Sequence, residues 1–370
     1  MAPALPDQTG KTILVTGANT GIGLVTAREL ARAGARVLLA GRSKAKTTAV
    51  IDAIARDTGN AQLEYVELDL TELAQVRACG EALAQRAEPL HALINNAGQA
   101  GHRGLTREGF ELAFGVNHLG PYLLTRLLLP RLRAAGTARI VNVASQAHLR
   151  ARGLDWDAVR APTRSITGMR EYGASKLCNV LFARELARRL AGTGVTTYAL
   201  HPGVVRTDVW RRVPGPLRWL ITRSMLTPEQ GAAASLRCAT APELAEVSGR
   251  YYDVGGVEAT PSKIALDDAL VEPHARLDLL DPREDAIDGA QRLLDRPQRA
   301  GGFGLLHMGA RHGGKRLARV SIRLGIEQVA IASRHSSHQG SPRSWRKPRL
   351  WRPGCIGSGS RRISQASSIS

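Results

Sequence analysis

The chain has 370 residues, 43% of them hydrophobic and 4% aromatic, which is enough for a sizeable α/β core and excludes the fully disordered and fibrous classes. A formal charge of +19 would suit a nucleic-acid or membrane-surface protein, but +12 of it lies beyond residue 300, where thirteen Lys/Arg face one acid, Glu327. The remaining +7 is spread over residues 1–300, so the basicity belongs mostly to a tail.

Thr12 to Thr16 is a short β-branched run followed by Gly17, Gly21 and Gly23. A helical pattern from Ile22 to Ala33, closed by Gly34, comes next, and together these predict strand, glycine turn and helix. A second strand is predicted over Ala35 to Ala40, and two strands separated by one helix are normally parallel with a right-handed crossover. Further strands are predicted at Leu63 to Leu68, Ala92 to Asn95, Ala138 to Val143, Val195 to His201 and Arg250 to Val254, with helical patterns between most of them. This alternation argues for a doubly wound parallel sheet of Rossmann type, three layers deep. Two segments break it. His148 to Glu171 reads as an insertion loop, and Val204 to Thr227 mixes Trp210, Leu217, Trp219 and Ile221 with several arginines beyond a strand end, where ligands bind in such sheets. The second is expected to be a substrate lid, with a membrane-surface stretch as the competing reading.

Cys79, Cys178, Cys238 and Cys355 are far apart, without C-x-x-C pairs or histidines at zinc spacing. Neither disulfides nor a metal site is expected, and a reducing cytoplasm fits best. The N-terminus has no apolar signal-peptide core, and the most apolar stretch, Tyr122 to Leu129, is interrupted by Arg126. No transmembrane segment is expected.

Three clusters carry chemistry. Thr16 to Gly23 contains G-x-x-x-G-x-G, whose glycines let backbone approach a pyrophosphate at a helix N-terminus; a tight turn without a ligand is the plainer alternative. At the end of the second strand NAD-binding folds usually carry an acid for the ribose hydroxyl, whereas here Arg42 stands with Lys44 and Lys46. Cations in that place favour NADP over NAD, unless the loop is simply solvated. Tyr172 and Lys176, four apart at the head of a periodic helix, share one face. An ammonium near a phenol favours phenolate, so the pair could act as an acid and base, although such pairs are more often helix-surface contacts.

Taken in order, Thr16 to Gly23, Asn95-Asn96-Ala97-Gly98, Asn117, Ser145 and Tyr172-x-x-x-Lys176 resemble the short-chain dehydrogenase/reductase family. Phe114 to Gly120, Asn142 to His148, Ser175 to Asn179 and His201 to Thr207 are similar to its retinol dehydrogenase and WW-domain oxidoreductase branch. The likeness runs from about Gly10 to Ala269. It implies an NADP-dependent oxidoreductase interconverting a carbonyl and an alcohol. The nucleotide would lie against Gly17, Asn19, Thr20, Gly21, Ile22 and Gly23, with Arg42 on the adenosine phosphate and Asp69 and Leu70 near the adenine. Asn95 would support the sheet beneath, and the Ala97-Gly98 backbone would pass the ribose. Pro202, Gly203, Val205 and Thr207 would complete the nicotinamide side, Thr207 bonding the carboxamide. Tyr172 would be the general acid or base, Lys176 would bind ribose hydroxyls and depress the tyrosine pKa, Ser145 would hold the substrate oxygen, and Asn117 would hold a relay water. His148 and His201 are expected to be structural, and Cys178 an inert thiol.

The retinol-active members often begin with an apolar anchor, which this sequence lacks before its first strand. One catalytic domain is expected over residues 1–270, and residues 271–370 read as a low-complexity basic tail, disordered or translated out of frame. The expected partners are a small apolar carbonyl or alcohol substrate and further copies of the chain in a homo-oligomer, with no obligatory nucleic acid. Two other classes stay open: a nucleotide-binding sensor or scaffold without turnover, and a nucleic-acid binder acting through the tail.

Overall fold

The computed structural model describes residues 5–156, 158–206 and 225–267. The middle of the expected lid, with Thr207, Trp210, Leu217, Trp219 and Ile221, and the whole tail beyond residue 267 lie outside the described residues.

β1 (Thr12–Thr16) leads through the glycine turn into α1 (Gly21–Arg32), followed by β2 (Arg36–Gly41), α2 (Lys44–Thr58), β3 (Leu63–Glu67), α3 (Leu73–Ala84) and β4 (Ala92–Asn95). A short α4 (Leu112–Phe114) passes through a π turn (Gly115–Leu119) into α5 (Gly120–Ala134), then β5 (Ala138–Val143), α6 (Met169–Arg189) and β6 (Val195–Leu200). α7 (Pro228–Thr240), β7 (Arg250–Tyr252) and β8 (Glu258–Ala259) complete the described chain. The eight strands form one sheet in the order β3-β2-β1-β4-β5-β6-β7-β8, parallel throughout except for β8, which pairs antiparallel with β7.

Strand parity builds the two cores, because successive side chains point to opposite faces. Leu14 of β1 faces α3, α5 and α6, joining Val76, Leu83, Leu124, Leu128 and Phe182. Its neighbours Ile13 and Val15 face α1 and α7, joining Leu30, Ala31, Ala232 and Leu236. Covered on both faces, the central strands are near-continuous apolar runs, as parallel sheets require. The strand order changes direction between β1 and β4, the switch point where such sheets place a ligand crevice beyond the carboxyl ends of their strands.

The three-layer doubly wound sheet expected from sequence is the fold found. Differences lie at element ends: β2 is shifted by one residue, β6 and β7 stop short of His201 and Asp253, and α6 takes in Met169 to Glu171. The expected insertion loop is partly ordered into turns at Gln146–Arg150 and Ala158–Arg160 and packs Leu154 and Trp156 against the core.

Candidate active site

The glycine turn sits at the end of β1. Gly17 and Gly21 have φ of 66° and 54°, a region where a side chain would be strained. A Cβ on Gly23 would lie 2.3 Å from the Gly17 carbonyl oxygen and 2.5 Å from Asn96 Nδ2, so only glycine lets α1 start so close to the strand. Asn96 clips this turn: its Nδ2 donates to Thr16 O at 2.8 Å. The Thr16 hydroxyl accepts from the backbone N–H groups of Asn96 and Ala97 at 3.0 and 2.9 Å. Neither side chain was singled out from sequence, although Asn96 stands inside the N-N-A-G motif. Ile22, at the head of α1, faces Val205 across Gly231 of α7, and Val205 is bridged to Leu226.

Arg42, Lys44 and Lys46 stand exposed at the end of β2. Asp69, after β3, spends one carboxylate oxygen on the Thr71 N–H and hydroxyl at 2.8 and 2.7 Å, while Leu70 is buried. Asn95 is itself buried and points into the sheet, with its Nδ2 donating to Thr125 Oγ1 and Asn142 Oδ1 at 3.0 Å each. Asn142 Nδ2 in turn reaches Thr197 Oγ1 at 3.5 Å, so an amide chain crosses β4, β5 and β6. Asn95 thus ties β4 to β5 and α5 at the end of the strand.

The second half of the site assembles from β5, the π turn and α6. Ser145 follows β5 in extended conformation, and its hydroxyl accepts from Ala147 N at 3.2 Å, capping the next turn. Tyr172 lies in the first turns of α6, and the Ser145 hydroxyl acts on its phenol, drawing the phenol's pKa down. One turn on, the Lys176 ammonium stands 5.7 Å from the Tyr172 ring centroid and donates to Val143 O at 2.7 Å. Asn117 falls in the π turn, a local widening of the helix that is frequent at functional sites. Its Nδ2 donates to Gln99 O and to Ser175 Oγ at 3.0 Å, and its Oδ1 accepts from Gln99 N at 2.8 Å. A Cβ on Gly98 would meet Asn117 Oδ1 at 3.2 Å and Lys176 Nζ at 3.4 Å, so the Ala97-Gly98 backbone passes over both.

Burial governs the titration of the pair. Lys176 is fully enclosed, and desolvation of its charge brings its pKa down to about 8. Tyr172 is pushed above the usual phenol range by burial, and the pull in the other direction comes from the Ser145 hydroxyl. The ammonium is therefore not what sets the direction of the phenol's shift in this arrangement, where loss of water is the largest cause. Desolvation likewise raises the Cys178 thiol, which keeps it unreactive.

Among the remaining expected residues, Pro202, Gly203 and Val205 follow β6 and turn towards Leu226, where Arg206 N donates to Leu226 O at 2.9 Å. His201 is buried and its backbone N–H donates to Tyr252 O at 2.8 Å. His148 is also buried, with both ring nitrogens hydrogen-bonded. Among the described residues there is no group of three or more His, Cys, Asp or Glu that could hold a metal, and no helix is long and apolar enough to cross a membrane. The crevice residues fit a dinucleotide: a side-chain-free glycine cradle at a helix N-terminus, an exposed cationic strand end, and a buried ammonium beside a hydroxyl and a phenol.

The family pattern of the short chain dehydrogenases matches residues 11–215, and the chain belongs to that family of oxidoreductases acting on an alcohol or its carbonyl. It is similar to dehydrogenase/reductase SDR family member 13 of Bos taurus, 45% identical over 292 residues that cover 75% of each chain. It is also similar to retinol dehydrogenase 12 of Mus musculus, 46% identical over 246 residues, 66% of this chain and 77% of that one. The expected likeness to the retinol dehydrogenase branch is thereby found. A solved 3-oxoacyl (acyl-carrier-protein) reductase from Agrobacterium tumefaciens C58, with NADP bound, superposes with a TM-score of 0.56 at 27% identity, over 68% of this chain and 95% of that one.

Proposed function

We propose that this chain is an NADP-dependent oxidoreductase that reduces an apolar aldehyde or ketone, or oxidises the matching alcohol, with Ser145, Tyr172 and Lys176 as its catalytic group. The observation that carries this is the convergence of the Ser145 hydroxyl, the Tyr172 phenol and the Lys176 ammonium at the end of β5. A bound nicotinamide would supply or accept the hydride. Ser145 holds the substrate oxygen where negative charge grows, and Tyr172 gives that oxygen its proton. The Tyr172 phenol is well suited to the acid role, since its raised pKa keeps it protonated at neutral pH. Lys176 supplies positive charge and donors for ribose hydroxyls, and Asn117 fixes the adjoining turn through Gln99. Arg42, free of any acidic partner among the described residues, would meet a 2′-phosphate. The NADP bound in the Agrobacterium tumefaciens reductase is consistent with that choice, and the likeness to retinol dehydrogenases supports an apolar substrate.

Residues 1–270 would form the catalytic domain, placed in the cytoplasm and associating with further copies of the chain. The test is oxidation of NADPH, against NADH, with a panel of aldehydes and ketones. Wild-type turnover preferring NADPH, lost by about a thousandfold or more in Tyr172→Phe with nucleotide affinity kept, is the expected result. Nucleotide binding without turnover on any substrate would instead favour a sensor.

A further inference from the structure

The turn that carries Ser145 is tied down from an unexpected side. His148, three residues on, is 0% exposed. Its Nδ1 lies 2.6 Å from the Ser145 carbonyl oxygen, which also accepts the His148 backbone N–H at 3.1 Å. Its Nε2 lies 3.2 Å from the backbone nitrogen of Ser262, in the segment after β8. These two bonds fix the tautomer. A backbone N–H can only donate, so Nε2 must be the bare nitrogen, and Nδ1 must carry the proton that it gives to Ser145 O. The ring is therefore a neutral, directional link with one end on the Ser145 backbone and the other 114 residues away along the chain.

The Ser262 end is itself anchored. Ala265 is fully buried against Leu177, Val180 and Leu181 of α6, its carbonyl accepts from Arg184 of α6, and its N–H donates to Ser262 Oγ at 3.2 Å. A second tie joins the same turn to the end of β7, where Gln146 Nε2 donates to Asp253 Oδ2 at 3.4 Å. The His148 ring packs at 4.9 Å from the Tyr251 ring of β7, and His201, just after β6, is the other titratable group facing it. Burial keeps the imidazole neutral, as the tautomer requires.

From this geometry we propose that His148 is a positioning residue: it clamps the Ser145 backbone to the segment Ser262–Leu266 and so aims the Ser145 hydroxyl at the substrate oxygen. This rests on the role of Ser145 in the proposed function. Nothing in the clamp touches the glycine turn or Lys176, so its loss should act on carbonyl chemistry and leave nucleotide binding alone.

Two polar variants dissect it in the full chain. His148→Asn keeps a donor near the Nδ1 position but cannot reach Ser262, while His148→Gln can accept from Ser262 but loses the Nδ1 donor. Each should lower kcat/KM for carbonyl reduction by about tenfold or more, with Kd for NADPH unchanged. In a Ser145→Ala background the same substitutions should cause less than about a twofold further loss, because a residue acting through another is non-additive with it. Full, additive losses in that background, or wild-type-like kcat/KM in both variants, would overturn the clamp while leaving the enzyme reading intact. Absence of wild-type turnover on every carbonyl would overturn the enzyme reading first, and the positioning role with it.

Discussion

At the residue scale the sharpest property of the site is a lysine enclosed without a carboxylate. Folded, its pKa is about 8 against 10.5 in the open chain, so between these pH values the unfolded chain holds a proton that the folded chain lacks. Stability from this group therefore rises with pH across that window, and below pH 8 the buried ammonium costs the nucleotide-free protein about 3 kcal/mol. Lys176→Met should accordingly melt above the native chain at pH 7, with the gap closing as pH approaches 10. Thermal scans of both proteins without nucleotide check this, and a gap that widens with pH would contradict it. That Tyr172 and Lys176 face the same space was legible in the sequence, because residues four apart on a helix share one side. What the sequence could not convey is how dry the pair is, because desolvation depends on what α4 and β5 stack over it.

At the scale of elements, the glycine turn and the π turn contrast in how far they can be read. Gly17, Gly21 and Gly23 announce the turn, because only their residue type permits positive φ and close contact. The clip that holds it, Asn96 to Thr16 O, joins residues 80 apart and has no local signature. Likewise Gly115 to Leu119 carries an ordinary helical pattern, and nothing local marks the widening, which lies where Thr106 packs closely over Gly115. β8, only two residues long, has too few positions for a period-2 pattern to register. A methyl at Gly23 would collide with backbone at 2.3 Å, so α1 must retreat from β1. Gly23→Ala should lose roughly 1–3 kcal/mol in denaturant unfolding and weaken NADPH binding by about tenfold or more. Undiminished affinity would show that the close approach of helix and strand is not what the nucleotide uses.

Considered whole, the described residues contain every strand of the sheet, both apolar cores and the complete Ser145, Tyr172 and Lys176 group before residue 268. The charge is divided quite differently, most of it following residue 300. A chain ending at Leu270 should therefore keep NADPH affinity and turnover within about twofold of the full protein. Any salt-dependent retention on DNA should disappear with the removed residues, since it scales with the cations that meet phosphates. Loss of turnover on truncation would assign residues 271–370 a part in the reaction. The parallel, doubly wound character of the sheet was readable from the alternation of β-branched runs with helical patterns, because each parallel crossover needs a helix and so leaves a long, regular trace.

The amide chain from Asn95 through Asn142 to Thr197 has a further consequence, for how this sheet finds its pairing. Aliphatic neighbours on adjacent strands are nearly interchangeable, and a strand slid by two residues would still bury leucine and valine on the proper face. Such a slip would strand two carboxamides in hydrocarbon, at roughly 1–3 kcal/mol for each unmet group. The Asn95–Asn142 hydrogen bond thus favours the native alignment of β4 on β5 over a slip that aliphatic contacts alone would tolerate.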